Sequence, residues 1–431
     1  MAASLHSSVA QTGWLIAALY LTSSVAQPTL GRLSDLFGPR RVFLISLFFV
    51  AAAGTLGHFA TSLPGLLFVR ILLGVGTSGA YPSAMCIFRE QADRHGAEIP
   101  RVAMGILTSA AIATTAVGPL IGGLLTASFG WHSMFTINVP LALFTLVMAV
   151  VWVPKDVPRT ISFKQLVEEV DLTGIGLFSI FLLSLMLFLM NLKDQPYWLA
   201  LALAVCFCGL LVFHSLRRKQ PFIDVRMLAR NRALTLTYLR VGIVMVITYS
   251  VFYGFAQWLE SAVGLSTAAA GLVTLPMSAV AMISSLTGVH SKGLRAPFLI
   301  SIGAQLTGCI ALCLIDSHTS IWLIAGAVIF FGVPIGTFST ATQAAIYILA
   351  PAEEIGTAAG LQRTAAYIGA MSAASLLAFV YGQHATDHGL HSLGIIMGVM
   401  TAALFVATLF DRSIPKVPLT APRSGVSTTT S

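Results

Sequence analysis

The stretch "GRLSDLFGPRR", Gly31 to Arg41, decides how this chain is read. It holds the four charged residues of the first 41 positions, Arg32, Asp35, Arg40 and Arg41, with glycines at Gly31 and Gly38. Long apolar runs flank it on both sides. The composition of the whole chain explains why charge is confined in this way. Of 431 residues, 56% are hydrophobic and 9% charged, and the mean hydropathy is +0.87. A soluble domain carries about 25% charged residues, so most of this chain's surface must face lipid.

Apolar stretches recur at 13–30, 42–60, 64–88, 102–125, 134–153, 172–191, 196–216, 233–258, 267–289, 296–315, 320–348, 357–381 and 392–410. Each approaches or exceeds the roughly 20 residues that a membrane helix needs. Period-2 alternation is absent, so the stretches are read as helices and not barrel strands. A secretory signal is not expected, because no basic segment precedes the first stretch. The last 20 residues, ending "SGVSTTTS", read as a disordered tail.

The basic residues give the orientation. The connections at 31–41, 89–101, 154–171, 217–232 and 290–295, with the tail, hold 20 of the 24 Lys and Arg, and the alternate connections hold only Lys193. Arg70, Arg240 and Arg363 lie inside apolar stretches. This asymmetry places the 31–41 connection and the C-terminus in the cytoplasm. The same rule explains the formal charge of +8, so no nucleic-acid partner is implied. Thirteen spans with the C-terminus inside would put Met1 outside.

Other chemistry is sparse. Cys86, Cys206, Cys208, Cys309 and Cys313 all fall in apolar stretches and read as small packing residues. His384, Asp387, His388 and His391 gather in "HATDHGLH", which reads as a glycine-interrupted connection and not a metal site. Walker A, H-E-x-x-H and G-x-S-x-G patterns are missing. No enzyme activity, cofactor or metal is expected, and movement of a solute would draw on a gradient.

Against this background the opening stretch resembles the cytoplasmic loop motif of the major facilitator superfamily, G-x-L-a-D-r-x-G-r-k/r. Gly31, Leu33, Asp35, Gly38, Arg40 and Arg41 match, and Leu36 replaces a usual basic residue. "RILLGVGTSGA", Arg70 to Ala80, is similar to the family's fourth-helix pattern. "TTAVGPLIGG", Thr114 to Gly123, resembles the fifth-helix pattern associated with antiporters, matching at Gly118, Pro119, Gly122 and Gly123. The pair of stretches within 172–216 and the linker "RRKQPFIDVRMLARNRA" resemble the fourteen-helix subgroup, mostly drug:proton antiporters. The family's first helix, with its acidic D-x-T element, has no counterpart here. Its absence would account for both the count of thirteen and the position of Met1.

The resemblance implies an all-α polytopic fold. It comprises an N-terminal bundle over 1–153, a central helix pair with linkers over 154–232, a six-helix bundle over 233–411 and a tail over 412–431. It implies that Asp35 meets the N-terminus of the span beginning near Gly356 and acts as a gating latch with Gly31, Gly38, Arg40 and Arg41. Asp35 can also interact with Arg40 or Arg41. The second-half loop "GVHSKGLRAP" carries Lys292 in place of the acid, so one latch is expected. Gly118, Gly122 and Gly123 are expected at a tight helix contact, with a kink at Pro119. Arg70 is the candidate for charge coupling, facing the bundle interior or a watery cavity. Arg240 and Arg363 either snorkel or face inward. Tyr249, Tyr253 and Gln257, at i, i+4 and i+8, share one helix face. With Thr340 and Gln343, beyond the Pro334–Gly336 break, they are the candidate substrate cavity.

The leading reading is a proton-coupled exporter of amphipathic small molecules, monomeric in the cell (inner) membrane. A facilitator or symporter for a metabolite or organic anion competes with it, because three arginines and no carboxylate lie within the spans. An inactive truncated transporter, or a protein that senses or scaffolds, is the reading from another class. The topology is open to direct test. Reporter fusions in 31–41, 217–232, 290–295 and the tail should report cytoplasm, and fusions near Lys193 or His388 the outside. A cytoplasmic signal at His388 would contradict the map.

Overall fold

The computed structural model describes residues 9–95, 101–156, 170–191, 196–219, 221–287, 293–351, 354–382 and 384–414. They are helical almost throughout. The first half contains α1 (Val9–Phe37), α2 (Pro39–Phe59), α3 (Leu63–Ser78), α4 (Ala80–His95), α5 (Arg101–Phe129), α6 (Ser133–Thr136) and α7 (Asn138–Trp152). A central pair follows, α8 (Leu172–Met190) and α9 (Trp198–Arg217), with the short α10 (Val225–Arg230) in the linker. The second half holds α11 (Arg232–Ser250), α12 (Ala256–Ser261), α13 (Thr267–Thr287), α14 (Arg295–Leu312), α15 (Ile321–Val333), α16 (Ser339–Leu349), α17 (Ile355–Tyr381) and α18 (Asp387–Phe410). One π turn, Val251–Phe255, joins α11 to α12, and another, Pro334–Phe338, joins α15 to α16. The second falls where the Pro334–Gly336 break is read from the sequence.

Eleven helical segments are long and apolar enough to cross a membrane, among the described residues. The two remaining apolar stretches lie in α1 and α5, each 29 residues long. The packing is arranged for a lipid solvent. Phe48, Leu199, Phe379 and Val399 are exposed, while Gln27, Ser34, Gln305, Gln343 and Thr364 are buried. Polar side chains are costly in hydrocarbon, so the chain turns them toward helix–helix contacts.

Within the first half α1 and α2 pack on α3, and α2 packs on α7. Within the second, α13 packs on α15 and α14 on α18. The halves meet where α17 lies against α1 and where α13 and α16 lie against α5. In the central pair α8 packs on α9 and also touches α1 and α17, so it sits beside the junction. The N-cap of α8 is Asp171, whose carboxylate accepts from the backbone N–H groups of Gly174 (3.1 Å) and Phe222 (2.9 Å) and bonds His214 Nε2 (2.8 Å). One buried carboxylate thereby ties the start of α8 to the end of α9 and the linker beyond it.

One sequence expectation needs adjustment, and of the two alternatives for Arg240 the structure shows the inward one. The "HATDHGLH" segment is not wholly a connection, because Thr386 caps α18 and Asp387 lies in its first turn. Asp387 accepts from Trp258 Nε1 at 2.8 Å and Ser317 Oγ at 2.7 Å, and His391 Nε2 bonds the Ile315 carbonyl. Arg240 does not snorkel. It is 4% exposed, pairs with Asp411, and donates from Nε to Thr408 Oγ1 at 3.2 Å. The pair fastens α11 to the end of α18. The tail from residue 415 lies outside the described residues.

Removing one partner of a buried ion pair strands the other charge, at a cost of about 3–5 kcal/mol. Asp411→Asn is therefore expected to lower the unfolding temperature of the detergent-solubilised protein markedly. The double replacement Arg240→Met with Asp411→Leu should recover most of that loss.

Candidate functional site at the junction of the halves

The 31–41 stretch, one of the basic connections, joins the end of α1 to the start of α2, and we call this end of the junction the basic face. Gly38 has φ of +98° and is the N-cap of α2, where it offers no side chain to the helix end. Asp156, beyond α7, fills that role. Its two carboxylate oxygens accept from the backbone N–H groups of Arg40 and Arg41, at 2.9 Å each. A Cβ on Gly38 would fall 2.4 Å from the Asp156 carboxyl carbon, so glycine is needed for the carboxylate to come this close. Arg40 also donates to the Val150 carbonyl at 2.8 Å. The expected pairing of Asp35 with Arg40 or Arg41 is replaced by this arrangement, since Asp156 and Val150 take up both arginines.

Asp35 points the other way, into the second half. It accepts from the backbone N–H groups of Gly356 (2.9 Å) and Thr357 (3.0 Å) and from Thr357 Oγ1 (3.0 Å). Cys86 Sγ donates to it at 3.3 Å. The N-cap of α17, Glu354, does not cap the helix with its own side chain. Asp35 therefore caps from another helix what α17 leaves open at its own N-terminus. The two helices approach to backbone contact there. A Cβ on Gly31 would lie 2.2 Å from the Gly356 carbonyl oxygen, and one on Gly360 would lie 2.4 Å from Pro28 Cα.

Hydrogen bonds between the halves continue inward from this end. Thr364 Oγ1 donates to the Ser24 carbonyl at 2.6 Å, and the Tyr81 hydroxyl to Gln362 Oε1 at 2.7 Å. Ser109 and Ser285 share a hydrogen bond at 2.6 Å across α5 and α13. Gln343 Nε2 donates to Thr108 Oγ1 at 2.8 Å, and Thr340 Oγ1 to the Ser285 carbonyl at 3.3 Å. Thr340 and Gln343, read as cavity residues, are buried in this closed seam. They face inward as expected, but partners from α5 and α13 occupy the space.

The tyrosines are brought together farther from the basic face. The hydroxyls of Tyr20 on α1 and Tyr253 in the π turn are 3.4 Å apart. The Tyr249 and Tyr253 rings stack at 5.9 Å, and the Tyr20 ring lies 5.5 Å from that of Tyr367 on α17. Gln27 Nε2 donates to the Tyr367 hydroxyl at 3.1 Å. Tyr253 and Gln257 are exposed, and among the described residues no hydrogen bond or ring contact joins Gln257 to this group. Arg363, one turn before Tyr367, lies over the Tyr81 ring at 4.2 Å. Arg70 turns into the first half, 5.1 Å over the Phe135 ring of α6.

Of the fifth-helix glycines, Gly122 alone has described surroundings, and a Cβ there would meet nothing within 4 Å among the described residues. Gly118, Pro119 and Gly123 lie in α5, outside the residues whose surroundings are described. Lys292 likewise lies outside the described residues.

Sequence reasoning missed Asp156, Tyr20, Gln27, Tyr367 and Gly360. Tyr20 and Gln27, seven apart on α1, and Arg363 and Tyr367, four apart on α17, are polar stripes at helical spacing that could have been read. Asp156 offers no such signal, because its partners lie more than 100 positions away.

The glycine contact is testable. Gly360→Val inserts a branched side chain where Pro28 and the Gln27 carbonyl stand. Closure at the basic face should fail, and a cysteine placed at Ser24 should react with a hydrophilic maleimide several-fold faster than in the parent. An unchanged rate would show that backbone contact is not what closes this end.

These contacts can be set beside known proteins. A sequence model described as Major Facilitator Superfamily matches residues 1–374. The uncharacterised MFS-type transporter YwoD of Bacillus subtilis (strain 168) is 31% identical over 411 residues, covering 94% of this chain and 90% of its own length. The tetracenomycin C resistance and export protein of Streptomyces glaucescens is 24% identical over 399 residues, covering 89% of this chain and 71% of its own. Among solved structures, the human organic anion transporter MFSD10 superposes with a TM-score of 0.65 at 15% identity, over 92% of this chain and 83% of its own. The proton:xylose symporter XylE gives 0.62 at 14% identity, over 96% and 88%. At such identities the structural likeness speaks for the fold alone. The family match and the YwoD relationship go further, and the chain belongs to the Major Facilitator Superfamily.

Proposed function

We propose that this transporter exports amphipathic small molecules by alternating access, coupled to protons, as a fourteen-helix antiporter-type member of the superfamily. The observation that carries the reading is the Asp35 cap on α17, a charged contact that crosses between the halves at one face. In the proposed orientation that face is cytoplasmic, in a cell (inner) membrane, and the contact holds the cytoplasmic entrance shut. Opening requires Asp35 to leave Gly356 and Thr357, and closing restores both bonds. The central pair α8–α9 supports the subgroup, and the resistance and export relative supports the direction. The protein works as a monomer in this reading, since the two halves of one chain form the path.

The contact has a size suited to gating. A charge at a helix N-terminus contributes about 0.3–1 kcal/mol when exposed and up to about 2 when partly buried. A bias of 1–2 kcal/mol changes a two-state ratio about 5- to 30-fold. That is enough to favour one state and small enough to be reversed in each cycle. Arg70, half-buried over Phe135, is retained in this reading as a charge whose surroundings change as the first half moves.

A second reading, a facilitator or symporter for an organic anion, is favoured by the intramembrane arginines. Direction and energy source can be separated by efflux from cells expressing the chain, with and without an uncoupler. Loss of efflux on uncoupling supports proton coupling, and efflux that persists supports a facilitator.

Asp35→Asn keeps the size of the side chain and removes its charge. Transport per inserted molecule should fall about 5- to 30-fold, with membrane insertion unchanged. Lys292→Asn, in the second-half loop that has no acid, should do little. Equal transport by the parent and Asp35→Asn would end the latch idea.

A further inference from the structure

The sixteen carboxylates of the chain stand at positions 35, 90, 93, 98, 156, 168, 169, 171, 194, 224, 260, 316, 353, 354, 387 and 411. None falls in the interior of a span. Three arginines do, and their surroundings differ. Arg240 is neutralised by Asp411, and Arg70 is packed against Phe135 inside the first half. Arg363 stands on α17 where the two halves meet. It has no ion-pair partner among the described residues, and its buried Nε makes no hydrogen bond. An embedded charge of this kind faces a bundle interior or watery cavity and marks a solute path.

The side chains around it form a matching set of hydrogen-bonding groups. Tyr367 accepts from Gln27 Nε2 and keeps its own O–H to donate. Within the Tyr20–Tyr253 pair one hydroxyl donates to the other, which leaves the acceptor's proton for a ligand. The Tyr20 ring lies 5.5 Å from that of Tyr367, and the Tyr249 ring 5.9 Å from that of Tyr253. Gln27, 5% exposed and bonded through Nε2 to Tyr367, has a buried Oε1 without a hydrogen-bond partner, an acceptor beside the group. Tyrosine rings alone could also cage a cation. Here the face of Tyr81 is already occupied by the guanidinium of Arg363. A second cation would meet that charge with no carboxylate to offset it, whereas an anion would neutralise it.

We propose that the junction of α1, α4, α11 and α17, centred on Arg363, Tyr367, Tyr20 and Gln27, binds an amphipathic organic anion. The ligand is an aromatic body bearing a carboxylate or sulfonate, with a hydrogen-bond donor for Gln27 Oε1. Arg363 holds the acidic group, Tyr367 and Tyr20 or Tyr253 donate to it, and the tyrosine rings cover the aromatic body. This deepens the transport reading by naming its substrate class, and it rests on that reading for its purpose in the membrane.

The test uses two xanthene dyes of similar size and opposite charge, fluorescein and rhodamine 6G, with the purified chain in lipid nanodiscs. Fluorescence anisotropy should show saturable fluorescein binding, weakened at least about tenfold in Arg363→Gln, the loss of a charged hydrogen bond converted to affinity. Arg363→Lys, which keeps the charge, should restore most of the binding. Tyr367→Phe, which removes only a hydroxyl, should weaken it several-fold without disturbing the fold. Rhodamine 6G should bind less tightly than fluorescein and gain affinity in Arg363→Gln. The inference is overturned by absence of saturable fluorescein binding, by equal binding to Arg363→Gln, or by preference for rhodamine 6G. Transport is then read separately in proteoliposomes. Fluorescein that binds but is not moved supports the anion site and defeats the transport reading. Rhodamine 6G that binds preferentially and is moved does the reverse.

Discussion

A carboxylate on one half of the molecule completes a helix end on the other. The first N–H groups of any helix lack partners within it, and in a membrane protein few nearby waters can satisfy them away from the surface. At α17 the side chain of the residue in the capping position, Glu354, makes no capping bond. Asp35 supplies the missing acceptor across the junction, with both oxygens used. The same bond that satisfies a helix end therefore also reports whether the halves are together. Local structural need and global conformation are joined in one contact.

That contact depends on how closely the backbones approach. Gly31, Gly356 and Gly360 remove the side chains that would hold α1 and α17 apart. Small residues let membrane helices pack where no hydrophobic driving force operates between them. Asp156 serves a complementary purpose by holding the start of α2 to the end of α7. The 31–41 stretch thus belongs rigidly to the first half and conditionally to the second. Charge gathers there because one acid must engage the opposite half and two arginines must anchor the loop to its own.

Much of this was legible in the sequence, and the boundary has a physical cause. Hydropathy marks helices because lipid permits few alternatives, so the apolar stretches reappear as helical segments. The Asp35–Gly356 contact was expected from the family loop pattern together with the start of the later span. Arg240 stayed open between snorkelling and facing inward because its neutralising partner, Asp411, is 171 positions away and nothing local announces it. Thr340 and Gln343 were read as candidates for a cavity, and they are buried against α5 and α13. The sequence could not say that α5 and α13 would close over them, since that depends on the conformation adopted. The tyrosine stripe of α11 was found by periodicity, but Tyr20 and Tyr367 join it only when three helices are assembled.

The distribution of charge also orders the molecule along the membrane normal. At the basic face, opposite charges and helix ends meet, and the halves are bonded by Asp35, Thr364 and Tyr81. Deeper in the junction the acids disappear, and tyrosine, glutamine and one arginine remain. The Val251–Phe255 π turn lies here beside the tyrosines, and such turns interrupt regular helix bonding and often accompany functional sites. A closed end rich in mutual bonds and an inner region with unmet hydrogen-bonding capacity divide the labour. In the proposed cycle the first is broken and remade, whereas the second is completed by the proposed ligand.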